Sequence, residues 1–235
     1  MLDATDIAYN LTVIQERIAQ AALQAGRDPA TVRLIAVSKT HPVSWVQAAL
    51  AAGQMDFGEN YAQELRDKSV ALASLPVRWH FIGPLQENKI HLVVGKVVCI
   101  HTISREKILM SIERRAASLG IVQDVLVQVN VGQEPQKNGL HPEELMAFLS
   151  LFESTPHVRC RGLMTLPPFD LDPKAVRPHF IALRQLRDAA AAVFPQLDLR
   201  ELSMGMSSDF EVAIMEGATL IRVGSAIFGP RLSRT

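Results

Sequence analysis

Cysteine is nearly missing from this chain of 235 residues, and the two present, Cys99 and Cys160, lie in apolar stretches in no C-x-x-C or other ligand spacing. Their scarcity excludes a disulfide framework and points to a reduced, cytoplasmic protein. An excess of charge is missing too: Lys plus Arg and Asp plus Glu each total 24, a net charge of +0, which leaves no field to hold a polyanion. Nucleic-acid binding is therefore not expected. No stretch reaches the roughly 18 consecutive apolar residues of a membrane-spanning helix. The N-terminus, Met1-Leu-Asp-Ala-Thr-Asp6, is acidic with no apolar run behind a basic patch, so it does not read as a secretory signal. H-E-x-x-H, H-x-H and clustered Cys/His patterns are also absent, and no metal site is indicated. No Pro/Gly-rich linker or low-complexity stretch breaks the chain, which reads as one domain over residues 1–235.

What is present is an ordinary globular composition, 48% hydrophobic and 20% charged, arranged in alternating β-rich and helical segments. Ile7, Leu11, Ile14, Ile18, Ala21 and Ala25 repeat every 3 or 4 residues and predict an amphipathic helix ending near Gly26. Strands are predicted at Arg33–Val37, Met55–Phe57, Arg78–Ile82, Val97–His101, Val122–Val129, Val158–Leu163, Leu199–Leu202 and Thr219–Val223. Helices are predicted between them: Trp45–Ala52, Asn60–Leu75, Ser104–Leu119, Pro142–Glu153, Pro173–Phe194 and Ser208–Glu216. Strands alternating with helices demand right-handed crossovers and a parallel sheet, and eight of them suit an α/β fold closed as a (β/α)8 TIM barrel. A doubly wound open sheet is the runner-up. After the last strand only Ser225 to Arg231 precede the ragged end, too few for a full closing helix; the extra N-terminal helix is expected to cover that gap.

In such a barrel the binding groups sit just after each strand. Lys39 ends an apolar strand, so its stem is buried and desolvation lowers its pKa, which suits a Schiff base with an aldehyde; the plainer alternative is a lysine reaching solvent. Ser203-Met-Gly-Met-Ser-Ser-Asp209 enters a helix with Ser207 or Ser208 as N-cap, and Arg222-Val-Gly-Ser-Ala-Ile-Phe-Gly229 opens a second helical turn; together these loops suit a phosphate, although each alone is an ordinary cap. Arg222 then reaches the ligand's other end, or else makes a structural ion pair. His80 and His101, on or at the ends of strands, read first as satisfied core histidines. Met164, Met204 and Met206 read as soft packing.

Ala36-Val-Ser-Lys-Thr40, Phe57-Gly-Glu-Asn-Tyr61, Trp79-His-Phe-Ile-Gly-Pro-Leu-Gln-Glu-Asn-Lys89, Arg161-Gly-Leu-Met164, Leu202-Ser-Met-Gly-Met-Ser207 and Arg222-Val-Gly-Ser-Ala-Ile-Phe-Gly229, taken in this order, closely resemble the pyridoxal phosphate homeostasis protein family, the YggS or PROSC type. The resemblance runs from about Ile7 to Arg231 and extends to Asn130–Gly139. It implies a barrel of the alanine-racemase N-terminal type that holds pyridoxal 5′-phosphate (PLP) on Lys39. It further implies that Ser207, Gly224 and Ser225 hold the phosphate, that Arg222 faces the pyridine nitrogen, and that Asn60, His80, Ser203 and Met204 line the pocket.

An arginine only donates hydrogen bonds and carries a permanent charge, so beside the ring nitrogen it disfavours pyridinium and weakens the cofactor as an electron sink. Racemisation by two bases also needs an acid/base opposite Lys39, which the racemases take from a second, β-rich domain not found in these 235 residues. The expected role is thus a non-catalytic buffer or carrier in vitamin B6 homeostasis, passing PLP to apo enzymes. An amino-acid racemase or related enzyme is the alternative, and a cofactor-free Schiff-base aldolase a third reading. Lys89 and Lys137 are candidates for a second, weaker lysine site that triggers release. A monomer is expected, since no conspicuous apolar surface stripe remains once the core is assigned.

Overall fold

The apolar runs read as strands all form strands in the computed structural model, which describes residues 4–134, 136–168, 172 and 175–230. They are β1 (Arg33–Val37), β2 (Asp56–Glu59), β3 (Arg78–Phe81), β4 (Cys99–Ile103), β5 (Gln123–Gln128), β6 (Val158–Met164), β7 (Glu201–Ser203) and β8 (Leu220–Val223). Each pairs in parallel with the next, and β8 pairs with β1, so the sheet closes into a barrel in chain order and the open-sheet alternative falls. Its strands are covered on both faces, as all-parallel strands must be, so β2 and β4 are buried at every position. Ile35, Cys99, Leu126, Met164 and Leu220, from five of the strands, form a small apolar cluster distinct from the larger core, as expected for side chains on the inward face of the barrel. Both cysteines are free and buried, and burial pushes the Cys160 thiol up to about 12.

The surrounding helices are α1 (Ala4–Gln24), α2 (Val43–Ala51), α3 (Ala62–Ala71), α4 (Ile90–Val93), α5 (Glu106–Leu119), α6 (Leu145–Ser150), α7 (Arg177–Val193), α8 (Phe210–Met215) and α9 (Ser225–Phe228). Gly120 ends α5 in the left-handed region, φ +64°, as its place after Leu119 predicts. Among the described residues no helix is long and apolar enough to cross a membrane.

The differences from the sequence reading have local causes. The crossover from β3 to β4, which shows no helical period, carries a 3-10 turn at Glu87–Lys89 and the single turn α4. β4 runs Cys99–Ile103, two residues later than read, with Cys99 its first residue paired in register, opposite His80. The segment read as one helix over Pro142–Glu153 is α6 between two 3-10 turns, Pro142–Glu144 and Leu151–Ser154. The start expected for α7 at Pro173 and the tail from Arg231 lie outside the described residues. Gly162 sits at φ +147°, where a Cβ would stand 1.9 Å from Glu201 O, so the β6–β7 pairing depends on glycine there.

Helix α1 packs over the β8–β1 seam through its apolar stripe. Its stripe Ile7, Leu11, Ile14, Ile18 and Ala21 is buried, and the helix packs against α8, α2 and α9 across the β8–β1 seam. Asn10 Nδ2 donates to Ile227 O at 3.0 Å, Arg27 Nη1 to Ile214 O at 2.8 Å, and Arg17 pairs with Glu211. Ile14→Ala therefore opens a cavity beneath α1 and is expected to cost about 3 kcal/mol. Urea unfolding measures this, and a loss well under about 1 kcal/mol would show that α1 is no part of the core.

Candidate functional site

A cavity of about 450 Å³ opens among the loops that follow β1, β2, β3, β6, β7 and β8, at the C-terminal end of the barrel. Lys39, Asn60, Ser207, Arg222, Gly224 and Ser225 are all in its lining. The barrel thus gathers one amine, one guanidinium and the two serine-bearing loops into one space. Val37, Ile82 and Leu166 supply apolar wall, and Met206, Ser208, Gly229 and His41 complete it.

His80, Ser203 and Met204 do not line the cavity. Met204 is buried in the main core and its N–H donates to Leu220 O at 3.1 Å. His80 and Ser203 instead belong to a hydrogen-bonded chain of side chains drawn from five strands, β2, β3, β4, β7 and β8. Arg222 Nη1 donates to Ser203 Oγ at 2.6 Å and Nη2 to Thr165 O at 2.9 Å. Ser203 Oγ lies 2.9 Å from His101 Nδ1, His101 Nε2 lies 3.0 Å from His80 Nδ1, and His80 Nε2 lies 2.9 Å from Asp56 Oδ1. Arg78 closes the chain on the other Asp56 oxygen.

Charge fixes the direction of every bond in this chain. Asp56 only accepts, so His80 donates from Nε2 and, when neutral, accepts at Nδ1. His101 must then donate from Nε2 and accept at Nδ1, which leaves Ser203 donating its hydroxyl to His101 while accepting from Arg222. The opposite polarity needs an extra proton on His80. Burial holds His80 below its ordinary value against the pull of Asp56, and burial, with His80 and Arg222 adding to it, holds His101 well below. Asp56 stays below the usual carboxylate range because bonds from His80 and Arg78 outweigh its burial. Burial lowers Arg222 to about 10, with Asp209 opposing, so the guanidinium remains charged at neutral pH.

The two loops opposite Lys39 approach each other closely, with Ser225 Oγ donating to Ser207 Oγ at 3.2 Å. A Cβ on Gly224 would meet Val37 O at 3.2 Å, so a bare backbone lets this loop lie against the end of β1. The helix-entry expectation for Ser207 or Ser208 needs correction. Asp209 immediately precedes α8, and its Oδ1 takes the Met206 N–H at 2.6 Å, folding residues 206–209 into a turn that carries both serines ahead of the helix. Sequence reasoning missed His41, whose ring stacks on Trp45 with centroids 4.8 Å apart. Its only sequence signal was its place two residues after Lys39. Lys137 pairs with Glu134 at 2.5 Å and donates to Pro167 O, and Lys89 borders a separate depression with Tyr61 and Pro84; neither lines the main cavity.

Residues 3–231 match the family described as alanine racemase, N-terminal domain. The pyridoxal phosphate homeostasis protein of Pseudomonas aeruginosa is 46% identical over 226 residues, 96% of this chain and 96% of the relative. That of Aquifex aeolicus is 44% identical over 221 residues, 94% of this chain and 96% of the relative. The chain belongs to the pyridoxal phosphate homeostasis protein family. Among solved structures, PipY of Synechococcus elongatus PCC7942, with PLP bound, superposes with a TM-score of 0.81 at 39% identity, covering 92% of this chain and all of that one.

In this homeostasis-family barrel the buried chain yields a direct expectation. Ring-nitrogen NMR at pH 7 should find both His80 and His101 neutral and protonated on Nε2, whereas an Nδ1-bound proton on either ring would break the derived polarity. Both histidines have lowered folded pKa values, so the stability they contribute is present above about 6.5 and is lost as pH falls. Replacing His101 by Leu should accordingly flatten the stability profile between neutral and mildly acidic pH.

Proposed function

We propose that this protein holds PLP in the cavity as a Schiff base on Lys39 and serves PLP homeostasis as a buffer or carrier, without strong catalytic turnover. The observation that carries the reading is the convergence of Lys39, the Ser207 and Gly224–Ser225 loops and the buried Arg222 in one cavity. The donor set suits a small phosphorylated aldehyde. Serine hydroxyls and the leading backbone N–H groups of a helical turn are phosphate donors, and a lysine stem emerging from apolar wall presents an amine. The names of the curated relatives and the PLP in the PipY structure support the same reading.

The cofactor supplies the aldehyde that the lysine amine takes up and, in enzymes, an electron sink. Ser207, Gly224 and Ser225 grip the phosphate end. Asn60, on the loop after β2, borders the ligand from the side. Arg222 offers donors and no acceptor to the far end of the cavity, so a ring nitrogen there stays unprotonated and the sink stays weak. Ser203 and His80 act only through Arg222, by holding its guanidinium in one orientation. These properties favour holding the cofactor over carbanion chemistry, and the recipients are apo enzymes that need the same group.

The decisive measurement is the absorbance spectrum of the purified protein beside Lys39→Ala, before and after borohydride. A violet-region band in the wild type, bleached by borohydride and absent from the variant, is expected. A colourless wild type that fails to take up added PLP would overturn the cofactor assignment, and robust turnover of any amino acid would overturn the carrier role.

A further inference from the structure

Three charged side chains pack behind the loop that carries Lys39, and none of them lines the cavity. Lys68, on α3, is 4% exposed. Its Nζ donates to Ser38 O at 2.6 Å, Glu59 Oε1 at 2.7 Å and Glu64 Oε1 at 2.8 Å, which uses all three ammonium hydrogens. Ser38 Oγ donates to Glu59 Oε1 at 2.6 Å, and the Thr40 N–H donates to Glu64 Oε1 at 2.6 Å. Both chain neighbours of Lys39 are therefore tied to one cluster. Thr40 is also held at φ +67°, a left-handed conformation that a β-branched residue rarely adopts, and its bond to Glu64 offsets that strain.

We propose that Lys68, Glu59 and Glu64 are positioning residues for Lys39, fixing the backbone on both sides of it and so the direction in which its amine enters the cavity. The inference rests on the reading that Lys39 carries PLP. Tying α3 to the barrel would not by itself call for these groups, because apolar side chains of similar volume do that without the cost of burying charge. The cluster holds two carboxylates against one ammonium, and among the described residues Glu59 Oε2 and Glu64 Oε2 are buried with no hydrogen-bond partner. The groups facing Glu59 are Lys68 and Glu64 from α3 and Ser38 from the end of β1, with His41 further along the loop. Burial pushes the Glu59 carboxyl up to about 6, Lys68 opposing and Glu64 adding to the rise. When Glu59 takes a proton, its bond from Ser38 loses its charge assistance, its bond from Lys68 loses the ion-pair attraction, and the hold on Lys39 weakens.

The test uses the full chain with Lys68→Met, Lys68→Arg and Glu59→Gln. In cofactor-free protein, Lys68→Met should speed amide hydrogen exchange at Thr40 by roughly tenfold while leaving β5 and α5 amides unchanged, and Lys68→Arg should restore part of the protection. With PLP loaded, its dissociation rate from the wild type should step upward as pH falls through about 6. Glu59→Gln should lack that step and release at the fast rate throughout. Wild-type exchange at Thr40 in Lys68→Met, or a retained step in Glu59→Gln, overturns the proposal. Should Lys68→Met fail to fold, the Glu59→Gln pH profile decides alone. A wild type that takes up no PLP defeats the Lys39 reading instead, and Thr40 exchange then still decides whether the cluster holds the loop.

Discussion

Closure of the sheet between β8 and β1 is the constraint on which the rest of the molecule depends. Arg33, Leu34, Ile35 and Ala36 pair with Leu220, Ile221, Arg222 and Val223, which leaves neither strand with an open edge. That register puts Gly224 against the end of β1 at Val37. Lys39, two residues further on, then shares one cavity with the loop after β8, although the two are far apart in the chain. A slip of one residue would turn Arg222 out of the barrel and Ile221 in. Because α9 is only 4 residues long, the seam would lie bare without α1, so the N-terminal helix is part of the closure.

Closure also creates the molecule's main electrostatic problem, a guanidinium sealed at the floor of the cavity. Removing such an ion from water costs several kcal/mol even after relaxation. Arg222 has no carboxylate in hydrogen-bond contact among the described residues; it is met by a serine hydroxyl and a carbonyl. The nearest full negative charge on its hydrogen-bonded chain is Asp56, three side chains away, and the intervening dipoles all point the same way. A neutral chain of this kind orients Arg222 without neutralising it. The charge therefore stays directed toward the cavity, where a ligand's lone pair can use it.

The repeating architecture was legible in the sequence because parallel strands buried on both faces read as short apolar runs, and each of the eight was found within two or three residues. The closing role of α1 was legible from its stripe and from the missing eighth helix. The residues that line the cavity by following a strand, Lys39, Asn60, Ser207, Gly224 and Ser225, could be found by position. His80 and His101 were also legible as satisfied core histidines, and both are buried and hydrogen-bonded. What could not be found was the connection between the buried polar groups: Asp56, His80, His101 and Ser203 come from four strands, and His101 and Ser203 are 102 residues apart, so no local spacing announces their chain. Lys68 is equally silent, because a lysine in a polar helix reads as solvated until tertiary packing buries it.

The two polar systems differ in their access to water. The chain from Asp56 to Arg222 lies inside the barrel, its histidines almost wholly shut from water, and unsettling it would strand several buried polar groups at once. The cluster around Lys68 lies between the sheet and α3, and the Glu64 side chain there keeps 19% of its surface exposed. If the site both holds and surrenders its ligand, as proposed, it needs one wall that stays fixed and one that can yield at modest cost. Arg222, held by its buried hydrogen-bonded chain, belongs to the wall that stays fixed. The loop after β1 is the yielding one, since Thr40 already sits in a strained conformation that its bond to Glu64 alone offsets among the described hydrogen bonds. On the proposed carrier role, release through movement of Lys39 would disturb bonds to the partly exposed Glu64, whereas release through movement of Arg222 would strand several fully buried polar groups at once.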